Sequence, residues 1–163
     1  IENQENIGLV GPKLLNPDRS IQYTCYEWHK FLTPIYRRTF LGKLPFARKE
    51  IDRFLIKDWD RDEIREVDWI QGSSLLIPKE VLDEVGHFDE RFFMYFEDTD
   101  LCRRIKQSGR KVVFYPEAEV IHLHRRQSAD SHGVAVMFNK LTREHIRSWL
   151  RYMWKWKGEK INY

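Results

Sequence analysis

The sequence predicts a mixed α/β fold closed by a long C-terminal amphipathic helix. Three observations carry that expectation: short β-branched runs stopped by glycine or proline, segments with apolar residues every three or four positions, and persistence of that helical period from Val134 to Lys157. The opening run Ile7-Gly8-Leu9-Val10-Gly11-Pro12 is short and β-branched and reads as a strand. Asn16-Pro17-Asp18 is turn chemistry, and Ser20 to Thr24 reads as a second short strand. From Trp28 to Asp58, Pro34 and Pro45 interrupt any long helix while aromatic residues alternate with Arg37, Arg38, Lys43, Arg48, Lys49 and Arg53, which predicts a partly helical, basic insert. Val67 to Ile77 is strand-like around Gly72-Ser73-Ser74, and Pro78 opens a helix over Lys79 to Val85 that Gly86 ends. Glu97 to Ser108 pairs Leu101 with Ile105 and gathers Arg103, Arg104 and Lys106 toward its C-terminal half, a helix stopped at Gly109. Lys111 to Tyr115 and Glu119 to Leu123 read as two strands parted by Pro116.

The 163 residues suffice for one domain, and 42% hydrophobic with 14% aromatic residues is the material of a core rather than of a disordered chain. No run approaches the roughly 20 apolar residues of a bilayer span, and the first six residues lack the basic and apolar regions of a signal peptide. Cys25 and Cys102 lie far apart with no cysteine at ligand spacing, so reduced thiols and a cytoplasmic setting are expected, not a disulfide framework or zinc knuckle. The chain opens on Ile1 in polar sequence just ahead of a strand, and it reads as a piece of a larger protein. A net charge of +3 is mild, so its distribution matters more than its size.

Chemistry concentrates between Phe88 and Asp100. Phe92, Phe93, Met94, Tyr95 and Phe96 lead directly into Glu97, Asp98 and Asp100, an order that wraps carboxylates in apolar surface. Desolvation of that kind raises a carboxylate's pKa and makes it a stronger base. The same acids open a predicted helix, whose dipole favours the ionised form and opposes that rise. A plainer alternative stays open, that they only cap the helix.

The acids keep particular company. Trp69, Gly72 and Ser73 precede them, then Gly86, Phe88, Asp89, Glu90, Phe92 and Phe93; Glu97, Asp98, Asp100 and Leu101 follow, then Pro116, Ala118, Val120, His122 and Ser128. In order and spacing this resembles the C-terminal part of family-2 glycosyltransferases, above all their bacterial rhamnosyltransferase-like branch, and Ile7 to Ile21 is similar to the segment that follows the nucleotide-sugar half of those enzymes. The resemblance implies a GT-A type fold and an inverting transfer: a carboxylate deprotonates an acceptor hydroxyl, which attacks the anomeric carbon of a nucleotide-activated sugar while a divalent metal, Mg or Mn, steadies the departing diphosphate. Carried over position by position, Asp98 is the base, Glu97 and Asp100 orient it or touch the acceptor, and Trp69, Gly72 and Ser73 line the sugar and acceptor pocket. His122 is the metal ligand and His124 its reserve. The implied partners are a nucleotide-sugar donor and a saccharide or lipid-linked acceptor of cell-envelope polysaccharide synthesis.

The resemblance divides the chain into an acceptor-side catalytic part, residues 1–133, with the basic aromatic insert at about 28–60, and a C-terminal helix and tail, residues 134–163. The family's nucleotide-binding half is absent, so this chain alone is expected to show little transfer, and its open sheet edge could pair with a second copy. Asp58-Trp59-Asp60 matches the family's acidic metal motif in form only and reads as a solvated turn. On the last helix Lys140, Arg143, Arg147, Arg151 and Lys155 oppose a stripe of Trp149, Tyr152 and Trp156, which suits the inner face of an anionic membrane as well as packing on the domain. Two other classes compete: a basic nucleic-acid-binding module, which lacks any recognised motif, and a metal-dependent hydrolase built on Asp98, Asp100 and His122.

Overall fold

A strand pair at the centre positions everything else in the computed structural model, which describes residues 6–123 and 140–159. Strand β1 (Ile7–Leu15) lies parallel to β5 (Lys111–Ile121), in register from Ile7 opposite Lys111 to Leu15 opposite Ile121. Leu9, Val10, Leu14 and Leu15 are buried, as expected of a strand covered on both faces. Its glycines admit neighbours rather than turns: a Cβ on Gly8 would strike Ile105, and one on Gly11 would come within 2.7 Å of Ile70.

The two strands expected on either side of Pro116 are one. Pro12 pairs with Tyr115 and Lys13 with Glu119, so residues 116–118 bulge out and pairing then resumes. Proline donates no N–H, and the sheet steps over it instead of ending. On the other side of β5, the short β3 (Arg65–Glu66) pairs antiparallel, giving the order β1-β5-β3. A separate pair joins β2 (Cys25–Tyr26) to β4 (Trp69–Ile70) antiparallel. The expected strand at Ser20 to Thr24 reduces to a single bridge between Ile21 and Leu15, and of Val67 to Ile77 only β4 and a bridge from Leu76 to Val10 are strand-like, because Gly72 to Ser74 turn the chain.

The insert is ordered. Pro34 lies in the first turn of α1 (Thr33–Arg38) and Pro45 opens α2 (Pro45–Phe54), positions where a missing N–H costs nothing. Helix α3 (Lys79–Val85) ends where expected, at Gly86 with φ 83°, and α4 (Glu97–Gln107) is followed by Gly109 with φ 81°. Leu101, Cys102 and Ile105 of α4 join Leu9, Ile70, Val81, Val112 and Phe114 in the main core. Burial pushes both free thiols, Cys25 and Cys102, up to about 12, so neither is a nucleophile at neutral pH.

Helix α5 (Lys140–Lys155) builds a second core. Trp149, Tyr152 and Trp156 pack with Phe92 and Phe96, and Ser148 Oγ donates to the Met94 carbonyl at 2.9 Å. Of the two settings expected for this aromatic stripe, it takes packing on the domain. Lys155 turns inward as well, reaching Asp89 and Asp100. Residues 134–139 and the expectations attached to His124 and Ser128 lie outside the described residues.

Candidate active site

The approach to α4 is backbone under strain. Tyr95 and Phe96 both sit in the left-handed region, at φ 69° and 68°, where a side chain costs roughly 1–2 kcal/mol per residue. The N-cap position is Phe96, which offers no side-chain bond, and Glu97, Asp98 and Asp100 all stand in the first turn. Asp98 is 8% exposed. Its Oδ2 accepts the Gly72 N–H at 3.0 Å and its Oδ1 accepts the Thr99 N–H at 2.7 Å. Burial raises its pKa, and those backbone donors work against the rise. Oδ1 also accepts the Thr99 hydroxyl at 3.4 Å, and Oδ2 keeps a lone pair for another donor.

Glu97 is half-buried beside it, and its Oε2 has no hydrogen-bond partner among the described residues. Burial, then the charge of Asp98, lifts its pKa to about 7. Both carboxylates line a cavity of about 370 Å³ together with Trp69, Gly72 and Ser73, so five of the expected site residues meet in one place. Trp69 is held by a 3.1 Å bond from its ring N–H to the Glu27 carbonyl and by stacking on Tyr26 at 4.4 Å. A Cβ on Gly72 would stand 3.5 Å from the Asp98 Cβ, in ordinary contact. The glycine thus keeps the flank of the carboxylate open rather than supplying an unusual backbone angle.

Asp100 goes elsewhere. Fully buried, it accepts from Lys155 Nζ, from Arg104 Nε at 3.0 Å and from the Trp156 ring N–H at 2.9 Å, and it does not line the cavity. It ties α4 to α5. His122 does not line the cavity either; its Nδ1 lies 3.0 Å from Gln22 Oε1, just past the end of β5. Asp58 and Asp60 are exposed on either side of buried Trp59, the solvated turn expected.

The metal implied by the resemblance does not fit the donors described. Among the described residues no three of His, Cys, Asp and Glu gather closely enough to hold an ion, and Asp98, Asp100 and His122 each have separate partners. The hydrolase alternative needs that same trio. Of the aromatics that the nucleic-acid alternative would use, Trp149, Tyr152 and Trp156 are buried, whereas Phe31, Phe40, Phe46 and Trp154 are exposed.

Four basic side chains line the cavity without an assigned role: His29, Arg37, Arg38 and His145. His29 packs on Trp69 and Phe96 and is held well below its usual pKa by burial and then by the charge of Arg37. His145 stacks edge-on against Tyr95, and burial, then Arg38 and Arg37, depresses it to about 3. Both imidazoles are neutral at physiological pH. No local sequence signal joins residues 29, 37 and 145 to 98; only the docking of α5 and the insert on the α4 entrance does.

Comparison with known proteins identifies relatives of the chain. Residues 12–147 match glycosyltransferase-like family 2. Over 129 residues the chain is 47% identical to the N-acetylglucosaminyl-diphospho-decaprenol L-rhamnosyltransferase of Mycobacterium tuberculosis H37Rv, covering 74% of this chain and 38% of that protein. It is 34% identical over 87 residues to rhamnosyltransferase WbbL of Escherichia coli K12, covering 53% and 31% respectively. It is 28% identical over 76 residues to the dTDP-rhamnosyl transferase RfbF of Shigella flexneri, covering 47% and 26%. The chain thus spans well under half the length of these curated relatives.

Proposed function

The chain belongs to glycosyltransferase-like family 2, and from that premise we propose that it is the acceptor-side part of an enzyme of GT-A type. That enzyme moves a hexosyl group, rhamnosyl in the first place, from a nucleotide-sugar to an acceptor hydroxyl with inversion, in cell-envelope polysaccharide synthesis. The rhamnosyl choice rests on the names of three relatives, and one of those names also gives a diphosphate-linked lipid as acceptor. Residues outside these 163 hold most of the donor.

The observation that carries the reading is Asp98, a buried carboxylate oriented by two backbone N–H groups and turned into a cavity walled by rings. An acceptor hydroxyl entering there gives its proton to a free lone pair of Asp98 as its oxygen attacks the anomeric carbon, and the donor's diphosphate leaves from the opposite face. Raised basicity and fixed orientation both lower the barrier. A second reading makes Glu97 the base, favoured by its unpartnered Oε2 and its pKa near 7. In the full-length enzyme, Asp98→Asn should lower kcat by about 10²–10⁴ with donor affinity retained, whereas Glu97→Gln should cost far less. The reverse order would move the role to Glu97, and near-normal rates in both would end the proposal.

A lipid-linked acceptor calls for contact with a membrane. Ile146, Leu150 and Trp154 are 42%, 52% and 76% exposed on one stripe of α5, beside the exposed Arg143, Arg147 and Arg151. No described helix is long and apolar enough to cross a membrane. This basic and apolar face instead lies on the anionic inner leaflet.

A further inference from the structure

A second hollow, also about 370 Å³, lies on the insert between the start of α1 and α2 and takes no part in the proposed proton transfer. Its polar groups are paired with one another. Thr33 Oγ1 donates to Glu50 Oε1 at 2.8 Å, Lys30 Nζ donates to Glu50 Oε2 at 2.8 Å, and Arg53 donates to both oxygens. The one carboxylate at the groove is thus saturated, and Thr33 is buried. What the groove offers a ligand is Phe31, Leu32, Tyr36 and Phe46. Phe31, Leu32 and Phe46 are 57%, 42% and 61% exposed, and apolar side chains gathered around one concavity mark a binding surface rather than scattered surface residues. A sugar must exchange its hydrogen bonds with water for bonds to its site and finds few partners here; a hydrocarbon needs none.

The position of the groove says which hydrocarbon. Residues 29–37 border both hollows: His29 lines the cavity of Asp98 and the next residue, Lys30, lines the groove, while Arg37 lines the cavity and the residue before it, Tyr36, the groove. The two hollows are neighbours across one stretch of chain, so a ligand with a polar head and an apolar tail can occupy both. Lys49 stands one turn from Phe46 on α2, exposed and with no acid partner among the described residues, and its charge complements an anionic linkage between head and tail. Phe31 also packs on Trp149 at 5.0 Å between ring centroids, which joins the groove to α5, the helix whose outer stripe is proposed to meet the membrane.

We propose that this groove seats the hydrocarbon chain of a phosphate-linked lipid acceptor while the acceptor's sugar lies in the cavity before Asp98. The inference rests on the glycosyl-transfer reading of that cavity and decides between its two acceptor classes: a lipid-linked sugar uses both hollows, a free saccharide only one.

Titration calorimetry on the chain, with farnesyl phosphate as a soluble phosphate-linked hydrocarbon and inorganic phosphate as its reference, reads the groove directly. Farnesyl phosphate should bind at least about tenfold more tightly than inorganic phosphate, and Phe46→Ser and Leu32→Ser should each lose most of that margin. Both side chains are exposed, so the variants should fold, which circular dichroism checks. Leu76→Ser, which removes another exposed apolar side chain outside both hollows, should lose none of it. Equal affinity for the two phosphates, or both groove variants binding like the parent, overturns the proposal. So does a parent that is dimeric beside a monomeric Phe46→Ser variant in analytical ultracentrifugation, which would give the surface to a second copy. In the full-length enzyme Phe46→Ser should raise KM at least about tenfold for a lipid-linked acceptor and leave KM for the lipid-free sugar unchanged, and an equal rise for both overturns the assignment as well. If Asp98→Asn keeps a near-normal rate while the farnesyl phosphate margin holds, the base assignment fails and the groove stands.

Discussion

Glu97 should make the protein less stable as pH rises, and Glu97→Gln should remove that loss. Its carboxyl is lifted from the ordinary 4.5 to about 7, by burial first and the neighbouring Asp98 charge second. Below pH 4.5 the group is neutral folded and unfolded, and it contributes no difference. Between 4.5 and about 7 the unfolded chain ionises while the folded one keeps its proton, so folding stability falls. Above 7 both states are ionised and the penalty stays constant. A rise of that size corresponds to about 3 kcal/mol if no solvent reached the group; half-buried as Glu97 is, about 1–2 kcal/mol is the expectation. Glutamine keeps the shape and remains neutral. Urea unfolding at pH 8 should show Glu97→Gln more stable than the parent by that amount, and at pH 4 the two should coincide. A variant equal to the parent at both values, or more stable at pH 4 only, would refute the desolvation argument. A gain at pH 8 would also mean that the native residue is kept against a stability cost, the usual mark of a functional carboxylate.

Two further outcomes follow from the geometry. Asp100→Ala should destabilise by about 1–3 kcal/mol in urea unfolding, because it removes the buried acceptor of the Trp156 N–H and one of the partners of Lys155 and Arg104, which keep Asp89 and the Val85, Gly86 and His87 carbonyls; no measurable loss would show that α5 docks without it. The chain should co-sediment with anionic vesicles at low ionic strength and dissociate in high salt, and Trp154→Ser should weaken that binding several-fold. No sedimentation of the parent at low salt would remove α5 as a membrane contact.

Local order was legible where local chemistry decides it. The bounds of α3 and the end of α4 follow from Gly86 and Gly109, whose positive φ no periodic pattern is needed to infer. Strand pairing was not, since β2 finds β4 across more than forty residues and the Pro116 bulge depends on β1 as a template. The last helix shows why periodicity is silent on direction. Trp149, Tyr152 and Trp156 make one apolar stripe and Ile146, Leu150 and Trp154 another, and only the aromatic surface of Phe92 and Phe96 selects which turns inward.

The divergence of Asp98 from Asp100 is different, because the signal for it was present in the chain. Successive residues on a helix advance by about 100°, so positions 98 and 100 point to nearly opposite sides, and a single cleft cannot receive both. One carboxylate had to face the turn at Gly72 and the other had to face whatever packs behind α4. The basic and aromatic residues Lys155 and Trp156 then make the inner partner an anchor. The outer one is left with the Gly72 and Thr99 donors and a cavity in front of it. Under the proposed transfer, catalytic and structural roles are divided between two identical side chains by helix geometry. The strained Tyr95-Phe96 turn sets where that helix begins, and so which aspartate lines the cavity.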